Sequence, residues 1–246
     1  GPHVKLVCQV VHSMIIVLHL APPDCALCPR LVASRQAVVN GFGPVPAEIL
    51  VVVQTPGRIE ETFDPPQPLV GWSGACLRTK LMPLAKIDPR AVRYENIVRC
   101  RPPAKKGGDM PPTADEIAAC RPFLTAAIAA CKPRFIVTLG APALRWFLPD
   151  VQLKVVHGQP QSVKLADGTF QAVFPSYHPA AAAPGRDPKL ISVLQNDWRR
   201  LGDLLAEIPA QTLGRYRQVT GAEMAAALST AQASLFAFDL ETSSPM

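Results

Sequence analysis

The run Glu48-Ile-Leu-Val-Val-Val-Gln54 constrains the fold of this chain more than any other feature. A half-exposed strand would alternate apolar and polar residues. A run without alternation calls for burial on both faces, the condition of an inner strand in a parallel sheet. Parallel neighbours need crossovers, and helix signals of suitable length follow. One spans Ser73 to Lys86. Another opens at Thr113-Ala-Asp-Glu116, a capping box, and runs to about Ala130. Tyr94 to Val98 and Arg134 to Leu139 read as further strands. Val163 to Leu165 and Phe170 to Phe174 flank Asp167-Gly168, a hairpin turn signal. Lys189 to Ile208 reads as an amphipathic closing helix containing Trp198 and Leu201. The pattern predicts an α/β fold, a three-layer α/β/α sandwich with a mostly parallel central sheet.

With 246 residues and 48% hydrophobic content, the chain can bury a full core. Its net charge of +6 suits a polyanionic partner, although such an excess also occurs on proteins that bind nothing charged. The apolar stretch Val4 to Leu20 is interrupted by Lys5, Gln9, His12, Ser13 and His19. It falls short of the ~18 clean apolar residues of a membrane span and reads as a strand or strand–helix entering the core.

Ligands of open α/β sheets bind beyond the carboxyl ends of the strands. Gln54-Thr55-Pro56-Gly57, Asn96, Gly140 and Ser176-Tyr177-His178-Pro179 occupy such positions. The 7 cysteines are an odd number in a chain too long to need disulfide staples, so metal binding in a reducing compartment is the better reading. Cys25 and Cys28 form a C-x-x-C pair. Cys100 and Cys120 lie in polar, proline-rich surroundings, whereas Cys8, Cys76 and Cys131 fall in apolar segments. Four thiolates can hold zinc or a 4Fe-4S cluster, and spacing alone does not choose between them.

Several motifs follow one another in an order that carries a family likeness. They are Cys25-Ala-Leu-Cys28-Pro-Arg-Leu, Val53-Gln-Thr-Pro-Gly-Arg-Ile-Glu60, Pro68-Leu-Val-Gly71, Asn96-Ile-Val-Arg-Cys-Arg-Pro-Pro103, Asp115-Glu-Ile-Ala-Ala-Cys120 and His178-Pro179. In these motifs the chain, over roughly residues 22 to 205, resembles the family 4 uracil-DNA glycosylases. The resemblance implies a 4Fe-4S cluster on Cys25, Cys28, Cys100 and Cys120. It implies that Gln54 to Gly57, including Thr55, floor the pocket and position water, with Glu60 beside them. Asn96 would read the uracil edge, Leu69 would take the place of the stacking residue, and His178 would stabilise the departing uracil anion. The chemistry agrees, because breaking an N-glycosidic bond through an oxocarbenium-like state needs charge stabilisation on the base and water behind the sugar.

The sequence departs from the family pattern in places. The usual Gly-Glu-x-Pro-Gly is here Val53-Gln54-Thr55-Pro56-Gly57, and the usual stacking Phe is Leu69. An amide orients water but accepts its proton poorly, and a lost aromatic face forfeits ~1–3 kcal/mol of base stacking. Ala180 to Ala183 makes a poor wedge for opening a duplex, so single-stranded DNA is the expected partner. The stretch from Cys100 to Cys120 is longer than the family norm and contains no histidine, whereas related variants that trap uracil covalently carry one there. Arg99, Arg101, Lys105, Lys106 and Arg186 are candidates for a phosphate-binding rim, and Phe42 and Tyr177 for base stacking.

The C-terminal segment Phe236-Ala-Phe-Asp239-Leu-Glu241-Thr-Ser-Ser resembles the first exonuclease motif of family A DNA polymerases. There Asp239 and Glu241 would hold Mg2+ for two-metal hydrolysis, given the further carboxylates of a full-length exonuclease. The expected organisation is a glycosylase-like domain over 1–208, a linker over 209–215 and the truncated start of an α/β exonuclease domain over 216–246. The reading is a uracil-excising or uracil-recognising domain of a DNA polymerase, working on template single-stranded DNA in bacterial or virus-infected cytoplasm. Its rivals are a catalytically degenerate DNA-binding or uracil-sensing module and a docking platform stapled by its cluster.

Overall fold

A computed structural model describes residues 5–11, 14–106 and 108–207, so the linker and exonuclease-like motif expected from residue 209 onward lie outside the described residues. In chain order the elements begin with strands β1 (Lys5–Val11) and β2 (Met14–Leu20), helix α1 (Pro29–Val32), strand β3 (Ile49–Val53) and helices α2 (Arg58–Thr62) and α3 (Trp72–Cys76). Strands β4 (Val92–Asn96), β5 (Ala104–Lys105) and β6 (Gly108–Asp109) precede helix α4 (Ala114–Cys131). Strand β7 (Phe135–Leu139), helices α5 (Ala141–Phe147) and α6 (Leu153–Val156), strands β8 (Gln161–Lys164) and β9 (Phe170–Ser176) and helix α7 (Leu190–Glu207) complete the order.

The main sheet runs β4-β3-β7-β9-β8. All its pairs are parallel except β8 with β9, the hairpin around Asp167-Gly168. Every residue of β3, β4 and β7 is buried, which is why the Ile49–Val53 run shows no alternation. Successive side chains serve opposite faces. Leu50, Val52, Ile136 and Val173 pack with Phe123, Leu124 and Ile128 of α4, and Ala143 and Phe147 of α5. Val51, Val53, Val137 and Phe174 pack with Leu77, Leu81 and Met82, and with Leu194, Trp198 and Leu201 of α7. The sheet with helices on both faces is the expected three-layer sandwich.

The sequence reading needs local corrections. The second strand is Val92–Asn96, two residues earlier than expected, and it ends on Asn96. The helix expected over 73–86 is three turns of different pitch: α3, a wide turn over Leu77–Leu81 and a tight one over Met82–Ala85. Pro83 has no N–H to continue an α-helical ladder. Lys5–Val11 and Met14–Leu20 form an antiparallel two-stranded sheet separate from the main one, and β2 packs against α4. Thr113 and Glu116 cap α4 reciprocally as expected. No helix among the described residues is long and apolar enough to cross a membrane.

The carboxyl end of β4 is fixed by a buried charge network. Glu95 accepts from Arg93 through one oxygen, at 2.7 Å, and from Arg99 through the other, at 3.1 Å. Arg99 also donates to the Asn40 side chain and to the Phe123 carbonyl, linking β4, the 40s loop and α4. Because the network is desolvated and Glu95 is paired through both oxygens, it fixes this strand end in one position.

Candidate active site

Parallel strands present their carboxyl ends together, and here four of them feed one cavity of about 350 Å³. Gln54 follows β3, Asn96 ends β4, Gly140 follows β7 and His178 stands two residues beyond β9. Thr55, Pro56, Gly57, Glu60, Leu69, Ser73, Asp109, Leu139 and Pro142 complete much of the lining. Thus Gln54, Thr55, Gly57, Glu60, Leu69, Asn96 and His178, far apart in sequence, surround one space of a size that suits a small ligand.

Asn96 is 1% exposed, and both its Nδ2 and Oδ1 are buried without a hydrogen-bond partner. An amide left so within a protein costs about 1–3 kcal/mol, a cost recovered when a ligand presents one acceptor and one donor. His178 is oriented by the turn that begins after it. Its Nδ1 accepts the backbone N–H of Ala180 at 3.2 Å, so the neutral ring carries its proton on Nε2. Burial pulls the His178 pKa down to about 4, which keeps the ring neutral near pH 7.

Glu60 bridges two loop–helix junctions. Its carboxylate accepts from the backbone N–H of Gly57 at 3.1 Å and from that of Gly71 at 3.3 Å. Through these bonds Glu60 positions α2 and α3 while lining the cavity beside Gln54, as expected. Leu69 has φ 58° and is buried in the wall. A Cβ on Gly74 would lie 1.5 Å from the Leu69 carbonyl oxygen, so only glycine lets α3 approach this loop.

The expected basic rim divides in two. Arg99 is 1% exposed inside the Glu95 network, so it is withdrawn from the DNA-facing set. Arg101 is largely covered and shared between Glu61 and Asp109. Lys105, Lys106 and Arg186 are exposed. Neither stacking candidate lines the cavity: Phe42 is exposed and pairs through its backbone with Tyr94, and Tyr177 packs on His157. Sequence reasoning missed Ser73, Asp109, Leu139 and Pro142. Position after a strand could have flagged Leu139 and Pro142, but no local pattern marked Ser73 or Asp109.

Cys28, Cys100 and Cys120 are buried and Cys25 is half-buried, all as free thiols. Burial is the main cause of the raised pKa of Cys28, Cys100 and Cys120, reaching about 11 at Cys120. Mutual repulsion adds to it: Cys28 is raised by Cys100 and Cys25, and Cys120 by Cys100 and Cys28. The four sulfurs therefore share one electrostatic neighbourhood. Arg35 donates to Cys100 Sγ at 3.1 Å and to the Cys25 carbonyl at 2.6 Å, drawing the two segments together. Among the described residues, no group of three or more His, Cys, Asp or Glu is placed to hold a single metal ion.

Residues 40–201 match the Uracil DNA glycosylase superfamily. The chain is similar to a protein named "Type-4 uracil-DNA glycosylase" from Saccharolobus solfataricus, 31% identical over 194 residues, covering 75% of this chain and 83% of the relative. It is also similar to proteins of that name from Thermotoga maritima, 33% identical over 70% of this chain and 85% of the relative, and from Pyrobaculum aerophilum, 32% identical over 73% and 89%.

Proposed function

Because this chain belongs to the uracil DNA glycosylase superfamily, with type-4 enzymes among its relatives, we propose that it excises uracil from DNA by hydrolysing the N-glycosidic bond. The orphaned amide of Asn96 carries this reading. Uracil presents an acceptor O4 beside a donor N3–H, which match the unpaired Nδ2 and Oδ1 of Asn96. Cytosine presents the reverse pattern, an amino donor beside an unprotonated N3, which the amide would meet only after turning over by about 180°.

As the bond to the sugar stretches, negative charge collects on the base. His178, neutral and protonated at Nε2, offers a donor without the cost of burying a cation. Leu69 closes the wall by apolar contact in place of an aromatic face. Gln54 orients water in the cavity, and the cationic sugar demands only modest activation of that water. Lys105, Lys106 and Arg186 are the residues proposed to follow the phosphates, and with Ala180 to Ala183 forming no wedge, single-stranded DNA is the preferred substrate.

Cys25, Cys28, Cys100 and Cys120 are proposed to hold a 4Fe-4S cluster. The fit rests on their shared neighbourhood, free thiols and flanking Arg35 cation, which suits a cluster of net negative charge. When bound, the cluster supplies a covalent link between the 20s loop, the end of β4 and α4. Iron and acid-labile sulfide in anaerobically purified protein, both lost together with soluble yield in Cys100→Ser, are expected, and zinc without sulfide would exclude it. The motif around Asp239 and Glu241 supports the further proposal that the domain serves a DNA polymerase.

The deciding experiment is release of abasic sites from single-stranded DNA containing one uracil, read by alkaline cleavage. Slow but detectable release that Asn96→Ala and His178→Ala abolish is expected. An inactive protein with an intact cluster that still binds DNA would make this a reader or docking module instead.

A further inference from the structure

Building on the proposed excision, the geometry points to one more catalytic residue. We propose that Asp109, on the small β5–β6 hairpin, supplies the carboxylate that Gln54 lacks, holding the attacking water and stabilising the cationic sugar. Asp109 lines the same cavity as Gln54, Asn96 and His178. It lies 13 residues beyond Asn96, in the stretch between Cys100 and Cys120.

Its carboxylate is rigidly held. Arg101 Nε donates to one Asp109 oxygen at 2.9 Å and Nη2 to the other at 2.6 Å, a bidentate pair that leaves a second lone pair on each oxygen for water. The guanidinium is itself fixed by Glu61 at 3.1 Å, and Glu61 accepts the Gln36 backbone N–H through its other oxygen. The Met110 N–H to Pro103 carbonyl bond closes the hairpin at its base.

Charge balance gives the arrangement its direction. One guanidinium serves two carboxylates, so the group Glu61–Arg101–Asp109 carries one excess negative charge. The Glu61 side chain is fully buried, whereas that of Asp109, which lines the cavity, is 28% exposed. The excess is therefore presented at Asp109, beside the space where positive charge develops on the sugar. Glu60, the other carboxylate of the lining, accepts one backbone N–H at each oxygen, from Gly57 and Gly71, without a cation paired to it among the described residues.

The step balances. The C1′–N1 bond breaks with its electron pair leaving on the uracil ring, whose charge His178 Nε2–H stabilises. The water oxygen forms the new bond to C1′, and its proton passes to the Asp109 carboxylate and then to solvent. The products are an abasic sugar and the uracil anion, which takes up a proton from solvent to give uracil.

A double-mutant cycle on position 109 and position 54 tests this on single-stranded uracil DNA under single-turnover conditions. In Asp109→Asn the amide oxygen still accepts from Arg101, so the hairpin is retained while the charge is lost. The rate is expected to fall roughly 10- to 100-fold with half-saturating enzyme concentration unchanged. Asp109→Glu should keep most activity. Gln54→Glu should give less than about a threefold gain in the wild type but at least about tenfold recovery in Asp109→Asn. Rates of Asp109→Asn within twofold of wild type, or a large gain from Gln54→Glu alone, would overturn the assignment, and the second reading holds even if Asp109→Asn weakens the hairpin. No release by wild type would remove the underlying excision reading, and this inference with it.

Discussion

The backbone N–H of Ala180 points at Nδ1 of His178, which fixes the imidazole as its Nε2–H tautomer before any ligand arrives. Protonation would place a second hydrogen on Nδ1, displacing this bond. The folded pKa, about 4, lies below the ordinary 6.5. As pH falls from 6.5 the unfolded chain takes up the proton first, so the contribution of His178 to stability is complete above 6.5 and declines toward pH 4. Excision should then be insensitive to His178 titration from pH 8 to about 5 and fall toward pH 4. His178→Ala should cost on the order of 10²–10³ in rate. A His178-dependent inflection near pH 6.5 in the single-turnover profile would contradict the neutral-donor role.

Asn96 separates function from stability. Its amide contributes no hydrogen bond to the fold, so Asn96→Ala removes an unsatisfied group at the same time as it opens a small void. The two effects oppose each other. Urea unfolding is expected to show a change below about 1 kcal/mol, small for truncation of a residue only 1% exposed. Uracil excision should be lost. A large stability loss would mean that Asn96 holds the strand end in place.

The sheet was legible because burial on both faces leaves a plain signature in Ile49–Val53 and Phe135–Leu139, and Thr113 with Glu116 marked the start of α4 through a local hydrogen-bond exchange. The site was legible where function sits at strand ends, as with Gln54, Asn96 and His178. Charge was not. Arg99 and Arg101 resemble surface cations in sequence, and only the fold brings Glu95, Glu61 and Asp109 to them. The same limit hid Asp109, whose hairpin meets Gln54 and His178 at the cavity only once the chain folds.

Buried charge also predicts where the fold is most fragile. Glu95 is fully buried between Arg93 and Arg99. Glu95→Gln leaves two guanidinium groups with one neutral acceptor, and breaking a buried pair of this kind costs about 3–5 kcal/mol. Chemical denaturation should show the midpoint shift at unchanged m-value. Because Asn96 adjoins Glu95 on β4, the variant should also weaken excision at temperatures where it remains folded.

Lys105 and Lys106 lie on the same hairpin as Asp109, and both are exposed, whereas Arg101 at its base is neutralised by its partners. If the lysines follow the DNA backbone, each contributes counterion release and little base selectivity. The affinity for single-stranded DNA should fall with salt, with a slope of about −0.7 per phosphate neutralised on a log–log plot. Lys105→Ala with Lys106→Ala should flatten that slope by about 1–1.5 and weaken uracil-containing and uracil-free strands alike. Intact duplex should bind more weakly than the single strand. Fluorescence anisotropy at several salt concentrations reads all three quantities, and an unchanged slope in the double variant would place the phosphate path elsewhere, toward Arg186.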